Sequence, residues 1–114
     1  MTLTKKMLLE KFKPKVTEFS GEATGTFYVK PPTELQRCKR VGELYDKNGN
    51  PIPAQNARRR AYQIVDQLCD ADGNLLFSEA DVNDILALDS VALDVLLEAI
   101  NEVNGVDEKK ETAE

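Results

Sequence analysis

CDADGNLLFSEADVNDILALDSVALDVLLEAINEVN, residues 69–104, carries the densest structural signal in the chain. Asp70, Asp72, Gly73 and Asn74 supply turn chemistry, because Asp and Asn side chains bond nearby backbone amides and Gly admits positive φ. A tight reversal followed by a short extended piece is predicted there. Ser78 and Asp81 stand at capping-box spacing, with Asp a shorter partner than Glu or Gln, so a helix is expected to start at Glu79. Asp89 is placed to cap the next helix. In that last helix Ala92, Val95, Leu96, Ala99, Ile100 and Val103 fall at the i, i+3, i+4, i+7, i+8, i+11 spacing of one buried stripe, and Leu93 and Leu97 widen it to a second face. Only Asp94, Glu98, Asn101 and Glu102 are left for water. A helix apolar over most of its circumference needs neighbours on more than one side, so it is either the centre of the fold or half core and half interface.

Working outward, a helix is expected from about residue 54 to 69, with Ala57, Ala61, Ile64, Val65 and Leu68 as its buried stripe and Arg58, Arg59 and Asp66 mainly outside it. DKNGNPIPAQN, residues 46–56, is the clearest connector: Asn48 and Gly49 favour a turn, and Pro51 and Pro53 forbid continued helix. Before it, Thr33 is placed to cap ELQRCKRVGELY, along which Leu35, Cys38, Val41 and Tyr45 approximate a buried edge, with Gly42 a weak point. VTEF and TGTFYVK, separated by SGEA, read as a hairpin with Phe27 and Val29 facing one way and Thr26 and Tyr28 the other. A two-stranded hairpin is marginal alone, so one face is expected to pack on helices. Leu3, Met7, Leu8 and Phe12 form one face of a short helix that stops before Pro14, with Lys5, Lys6, Lys11 and Lys13 on its wet side.

These elements predict a mainly α (α+β) fold: a compact bundle of about four to five helices with a small β-hairpin near residues 15–30. Residues 1–106 read as a single helical domain and residues 107–114 as a flexible tail carrying both charges. With 114 residues, 41% hydrophobic and 31% charged, the chain suffices for one modest core and not two. No apolar run approaches the roughly 20 residues of a membrane span. MTLTKKMLLEKFKPK lacks the longer apolar region and cleavage site of a secretion signal, so a cytosolic protein with no membrane partner is expected. Cys38 and Cys69, without a CxxC pairing and without any histidine in the chain, read as reduced core thiols on helices.

Charge is unevenly divided. Residues 1–65 hold thirteen Lys and Arg against six acids, a balance of +7, whereas residues 66–114 hold two against fourteen, a balance of −12, within a net charge of −5. The plain reading is attraction within one monomer, or two solvated surfaces. The sharper reading is that the basic half of one subunit faces the acidic half of the next, which favours head-to-tail association.

The residue inventory argues against an enzyme: the commonest general base is absent, no cysteine looks reactive, and the carboxylates fall on wet helix faces. No cofactor is called for. Two isolated cysteines and no histidine make no zinc site. KNGNP lacks the spacing and following residues of a phosphate loop. Asp70, Asp72 and Asn74 occupy positions 1, 3 and 5 of an EF-hand-like series, but position 6 is Leu75 where the bend needs Gly, and position 12 is Asp81 where the loop needs a bidentate Glu. A turn followed by a capped helix explains these residues better. Arg58, Arg59 and Arg60, with Arg37, Lys39 and Arg40 nearby, offer phosphate contacts, but the net charge is negative and no aromatic residues interleave with them, which disfavours nucleic acid.

Residues 57–106 nonetheless carry a recognisable succession. An Arg-containing helix ends in an apolar pair; Asp70-Ala71-Asp72-Gly73-Asn74, Leu76-Phe77-Ser78 and Asp81-Val82 follow; and a last helix closes on Asn104-Gly105. This resembles the tail assembly chaperones of long, flexible-tailed bacteriophages, small and mainly helical cytosolic proteins. FYVKPPTELQR looks like that family's strand leading into a helix, and the resemblance covers about residues 15–106, weakest at 46–56. It implies no catalytic site. It implies binding of the tape measure protein to keep it soluble and extended, delivery as tail tube subunits polymerise around it, contact with the tube protein, self-association, residence in the host cytoplasm and departure before the virion is complete.

Such a role needs apolar surface shown to a helical client. The candidate partner-binding residues are Leu93, Leu97 and Ile100 on the last helix, with Arg58, Arg59 and Arg60. The family's longer product, made by −1 frameshifting, has a place to arise here, since Glu108-Lys109-Lys110 can be encoded by a slippery run of adenines. Two other classes fit the same chain: a structural tail or connector component of the virion, and a small nucleic-acid-binding regulator using the Arg58, Arg59 and Arg60 cluster.

Overall fold

Thr4, Thr33, Ser78 and Asp89 each fold a side chain over the backbone just ahead of them, and helical turns begin there in the computed structural model, which describes residues 2–105. Thr4 accepts from the Met7 amide and opens α1 (Lys5–Lys11), which ends at Phe12, short of Pro14. Thr33 and Gln36 exchange side-chain-to-backbone hydrogen bonds of 2.8 and 3.2 Å, a full capping box, at the start of α2 (Glu34–Leu44). Asp81 Oδ2 accepts the Ser78 amide at 2.8 Å and sets a 3-10 turn, Glu79–Asp81, that runs into α5 (Val82–Leu86). Asp89 accepts the Val91 amide at 2.8 Å and opens α6 (Ser90–Val103). Of these starts, only that of α1 was not expected from a capping residue.

The hairpin forms as expected, with β1 (Thr17–Gly21) antiparallel to β2 (Gly25–Val29) and Phe19 opposite Phe27, their rings stacked at 5.5 Å between centroids. The second neighbour is a correction. Residues 68 and 69 were expected at the end of a helix; instead Leu68–Cys69 forms β3, antiparallel to β2 with Tyr28 opposite Cys69 and Val29 opposite Leu68. The sheet is thus three-stranded, in the order β1-β2-β3. Cys69 is buried on this strand, while Cys38 is exposed on α2 and is not a core thiol.

Three further expectations are overturned upstream of β3. The helix foreseen from about residue 54 is broken into α3 (Pro53–Asn56) and α4 (Arg59–Gln67), because Pro53 at the first helical position makes a short start and the chain turns at Ala57 and Arg58 before winding again. Asp66, placed outside the stripe by periodicity, is 6% exposed. Along α2 the expected edge is turned to water: Leu35 is 81% exposed, and Val41 and Cys38 are exposed too, with Leu44 alone buried in that helix. The helix rotates this way because Arg40, on its other side, is drawn inward to Asp66.

The core lies between α4, α5, α6 and the inner end of β2, with Val29, Ile64, Ile85 and Ile100 at its centre. On α6 the buried face is Leu93, Leu97, Ala99 and Ile100, while Ala92 and Val95 are exposed. Ala99 and Ile100 of the expected stripe are buried and Leu96 and Val103 half-buried, so the inner face is the expected one shifted toward its second face, Leu93 and Leu97. Apolar side chains lie on most sides of this helix, and Leu93, Leu97 and Ile100 on the inner side remove the most apolar area from water.

Among the described residues there are six α-helices, and 51% of the structure is helical, slightly more helices than foreseen. The arrangement is not the compact bundle expected. Its radius of gyration is 15.6 Å, against about 13 Å for a compact domain of 100 residues, and α1 has no buried residue. The tail expected at 107–114 and the frameshift segment lie outside the described residues.

One design occurs twice. After α2, Asp46 Oδ1 accepts the amides of Asn48 and Asn50, both at 2.9 Å; after β3, Asp70 Oδ1 accepts the amides of Asp72 and Asn74, both at 2.9 Å. Gly49 and Gly73 hold φ of +82° and +87° at the same place in each turn. Isolated bridges, Tyr45 to Pro51 and Cys69 to Leu75, close both turns, and a helical segment follows each. The region 46–56, read as a long connector, is therefore an ordered turn leading into α3.

Candidate functional site

A trough crosses one side of the protein where the end of α1, the Pro31-Pro32 corner, α2 and the end of α6 approach one another. It consists of two hollows of about 800 Å3 and about 510 Å3, joined at Pro31, Pro32 and Val103, which line both. The first hollow is apolar along Phe12, Pro14 and Phe19 and carries Lys11, Lys13 and Lys15 on its rim. The second continues over Val41, Leu44, Tyr45 and Tyr62, with Arg37, Arg40 and Arg59 around it. Proline offers no backbone N–H, so the Pro31-Pro32 corner presents apolar surface without an unsatisfied donor. Phe12 is 73% exposed at one end and Val41 stands half out of the floor at the other.

The walls are held by two polar links that sequence patterns did not reveal. Arg40 on α2 donates from Nε and Nη2 to the two carboxylate oxygens of Asp66 on α4, both at 2.8 Å, and from Nη1 to Glu43 at 3.0 Å and Glu79 at 2.9 Å. Its guanidinium lies 4.2 Å from the Tyr62 ring centroid. The Asp66 carboxylate holds this guanidinium charged beyond the ordinary arginine range, against the opposing effect of burial. Lys39, and after it Arg40, hold the Glu79 carboxyl below the usual carboxylate range. At the other wall Gln67, 2% exposed, and Asn104 exchange side-chain amide hydrogen bonds of 2.7 and 3.2 Å, and Gln67 also donates to the Lys30 carbonyl at 3.1 Å. The ends of β2, α4 and α6 are thereby fixed beside Val103.

The trough combines apolar lining with Lys and Arg side chains and the carboxylates Glu34 and Glu102, and one wall is pinned by ion pairs, the other by an amide pair. A family model described as phage tail assembly chaperone, TAC, matches residues 4–104. The chain belongs to this family. No curated protein and no solved structure matches it. The match begins at the N-cap of α1 and ends at the Asn104 link, so the chaperone family spans every helix, every strand and both walls of the trough.

Within the chaperone, the residues singled out from sequence fall in unexpected places. Leu93, Leu97 and Ile100 are 9%, 7% and 0% exposed and are packed into the core. Arg58, Arg59 and Arg60 do not share a face, since consecutive helical residues diverge by about 100°. Arg58 precedes α4; Arg59 donates to the Tyr45 hydroxyl at 3.1 Å in the trough; and Arg60 pairs with Asp94 and Ser90 on α6. Of the six, only Arg59 lines the trough. Of the trough residues, Phe12 is read from sequence as part of an apolar helix face and Tyr45 as part of a buried edge, while Tyr62 carries no signal of its own; the Pro31-Pro32 corner joins the two hollows they line.

Proposed function

We propose that this tail assembly chaperone binds the tape measure protein in the trough running from Phe12 to Tyr45, keeps it soluble, and promotes tail tube polymerisation around it. The observation that carries this reading is the continuous apolar floor, which gives an amphipathic client helix a place to lay its apolar face while Lys and Arg on the rim meet its polar edge. The chaperone acts in the host cytoplasm, contacts the tube protein as the client is handed over, and is absent from the finished virion. The dispersal of Arg58, Arg59 and Arg60 disfavours the nucleic-acid alternative, because a phosphate backbone needs its cations on one side.

The test is co-expression with the tape measure protein encoded beside it, using Phe12→Asp and Val41→Asp, both at exposed positions. Wild type is expected to keep the client soluble and to co-elute with it, and the doubly substituted chain to lose both properties while keeping its melting temperature. Undiminished solubilisation by the substituted chain would move the client elsewhere. Recovery of the protein in purified virions would favour the structural-component reading.

A further inference from the structure

Helix α1 and the α5–α6 edge are two apolar surfaces of opposite charge, and neither is covered by the other described residues. On α1, Leu8 and Leu9 are exposed, Leu9 at 55%, and no residue of the helix is buried. Around them stand Lys5, Lys6 and Lys11, followed by Lys13 and Lys15, with Glu10 as the single acid. Seven residues are too few to hold a helix in water on their own, so α1 gains from a partner that covers it.

The second surface has the opposite character. Leu86, Leu88, Val91 and Val95 are all exposed, Val91 at 74%. Val91 and Val95 lie one turn apart on α6, with Glu98 and Glu102 on the turns that continue the same face, and Asp84 lies on α5. From Asp66 to Gly105 the chain contains no Lys or Arg, and among the described residues Arg60 pairs with Asp94 on α6 while Lys39 and Arg40 pair with Glu79 ahead of α5.

We propose that α1 of one copy docks on the α5–α6 edge of a second copy, Leu8 and Leu9 covering Val91 and Val95 while the α1 lysines meet the acids around them. The chain itself supplies both halves of the match, which is why the occupant is another copy. The two surfaces differ, so the contact is heterologous: every copy that docks its α1 leaves its own acidic edge free, and association continues past the dimer. Ion pairing at the contact weakens as salt shortens the Debye length. The inference stands on these two surfaces and not on the client reading.

Sedimentation velocity on the full chain tests it, with Leu8→Glu/Leu9→Glu as one variant and Val91→Glu/Val95→Glu as the other. Wild type is expected to form species larger than a dimer, increasing with concentration and decreasing with salt, while each variant alone stays monomeric with an unchanged circular dichroism spectrum. An equimolar mixture of the variants is expected to give a one-to-one dimer and nothing larger, since it contains one intact α1 and one intact edge per pair. Monomeric wild type at every concentration, assembly of either variant like wild type, or a mixture that stays monomeric would overturn the proposal. Monomeric wild type that pellets with phosphatidylglycerol vesicles would overturn it in favour of an anionic membrane as the partner of α1. Should a leucine variant lose its fold, Lys5→Glu/Lys6→Glu replaces it, with the same loss of assembly expected. Solubilisation of the tape measure protein is scored separately with the same variants, so that either reading can fail alone.

Discussion

Arg40 and Asp66 face each other fork to fork, 26 positions apart in sequence, and between them they join α2 to α4. Their side chains are 12% and 8% exposed, so the pair works in a setting where each charge depends on the other. Removing one partner leaves the other buried and uncompensated, which costs more than the intact pair contributes. Asp66→Ala is expected to lower unfolding stability by about 3 kcal/mol, with Arg40→Lys also destabilising because an ammonium cannot make the two-pronged contact. Glu34→Gln, which breaks the exposed Glu34–Arg37 pair, is expected to leave stability unchanged. Urea unfolding curves of the three variants check the contrast.

The rotated face of α6 yields a second prediction. Ile100 is fully buried, so Ile100→Ala is expected to cost about 3 kcal/mol through lost burial and the cavity left behind, whereas Val91→Ala, at a site 74% exposed, is expected to be near neutral. Leu97→Asp, a substitution that would probe client binding if Leu97 faced outward, is expected to unfold the protein instead. Thermal melts of the Leu97 variant separate an inward Leu97 from an outward one, since Ile100 is buried in either case.

Gly73 makes a third. Its φ of +87° lies in the left-handed region, and an added Cβ would meet only Val16 Cγ2, at 3.4 Å, an ordinary contact. The cost of Gly73→Ala is therefore conformational and expected to be about 1–2 kcal/mol, with Gly73→Asn less harmful because Asn tolerates that region. Gly49→Ala, at φ +82° with open space around it, is expected to behave alike. Matching losses in urea midpoint would show that both turns depend on backbone conformation and not on packing.

Acid should weaken the fold through two carboxylates. Asp70 is held below the usual carboxylate range by the amide of Asn74, with those of Asp72 and Gly73 adding to it, and Glu79 is held down by Lys39 and then Arg40. A carboxyl whose pKa is lower folded than unfolded binds fewer protons in the native state. Its stabilisation is complete above the ordinary carboxylate pKa of about 4 and is lost as pH falls through the depressed value. The urea midpoint is expected to decline in that acidic window, and Asp70→Asn with Glu79→Gln to flatten the decline.

What sequence reveals here follows how local each cause is. The hairpin register, the capping boxes at Thr33 and Ser78, the Asp89 cap and the turn at Asp70 rest on residues a few positions apart, and all are present. The burial of Asp66 depends on an arginine in another helix, and the strand at Leu68 and Cys69 on a β2 edge far upstream, so a periodic stripe continued through both positions is misleading. On α6 the pattern is apolar nearly all round, and periodicity alone does not choose its inner face, which is set by the elements packed against it, α4 and β2. The trough was least legible, because Phe12, Pro31, Val41 and Val103 come from four segments and no short pattern contains them together.

The paired Asp-Gly turns bear on the order in which the chain acquires its shape. Each turn draws its hydrogen bonds from within five residues, and loops this short close on a timescale of about 100 ns or less. The lysine of Lys30 must by contrast find the carbonyl of Gly73 across 43 positions, and β2 must find β3 over a similar span. The turns are therefore expected to act as preformed corners, cutting the number of arrangements searched before the distant strands meet. Rate-limiting assembly then falls on the β2–β3 seam, so that destabilising either corner should chiefly slow folding and leave unfolding little changed.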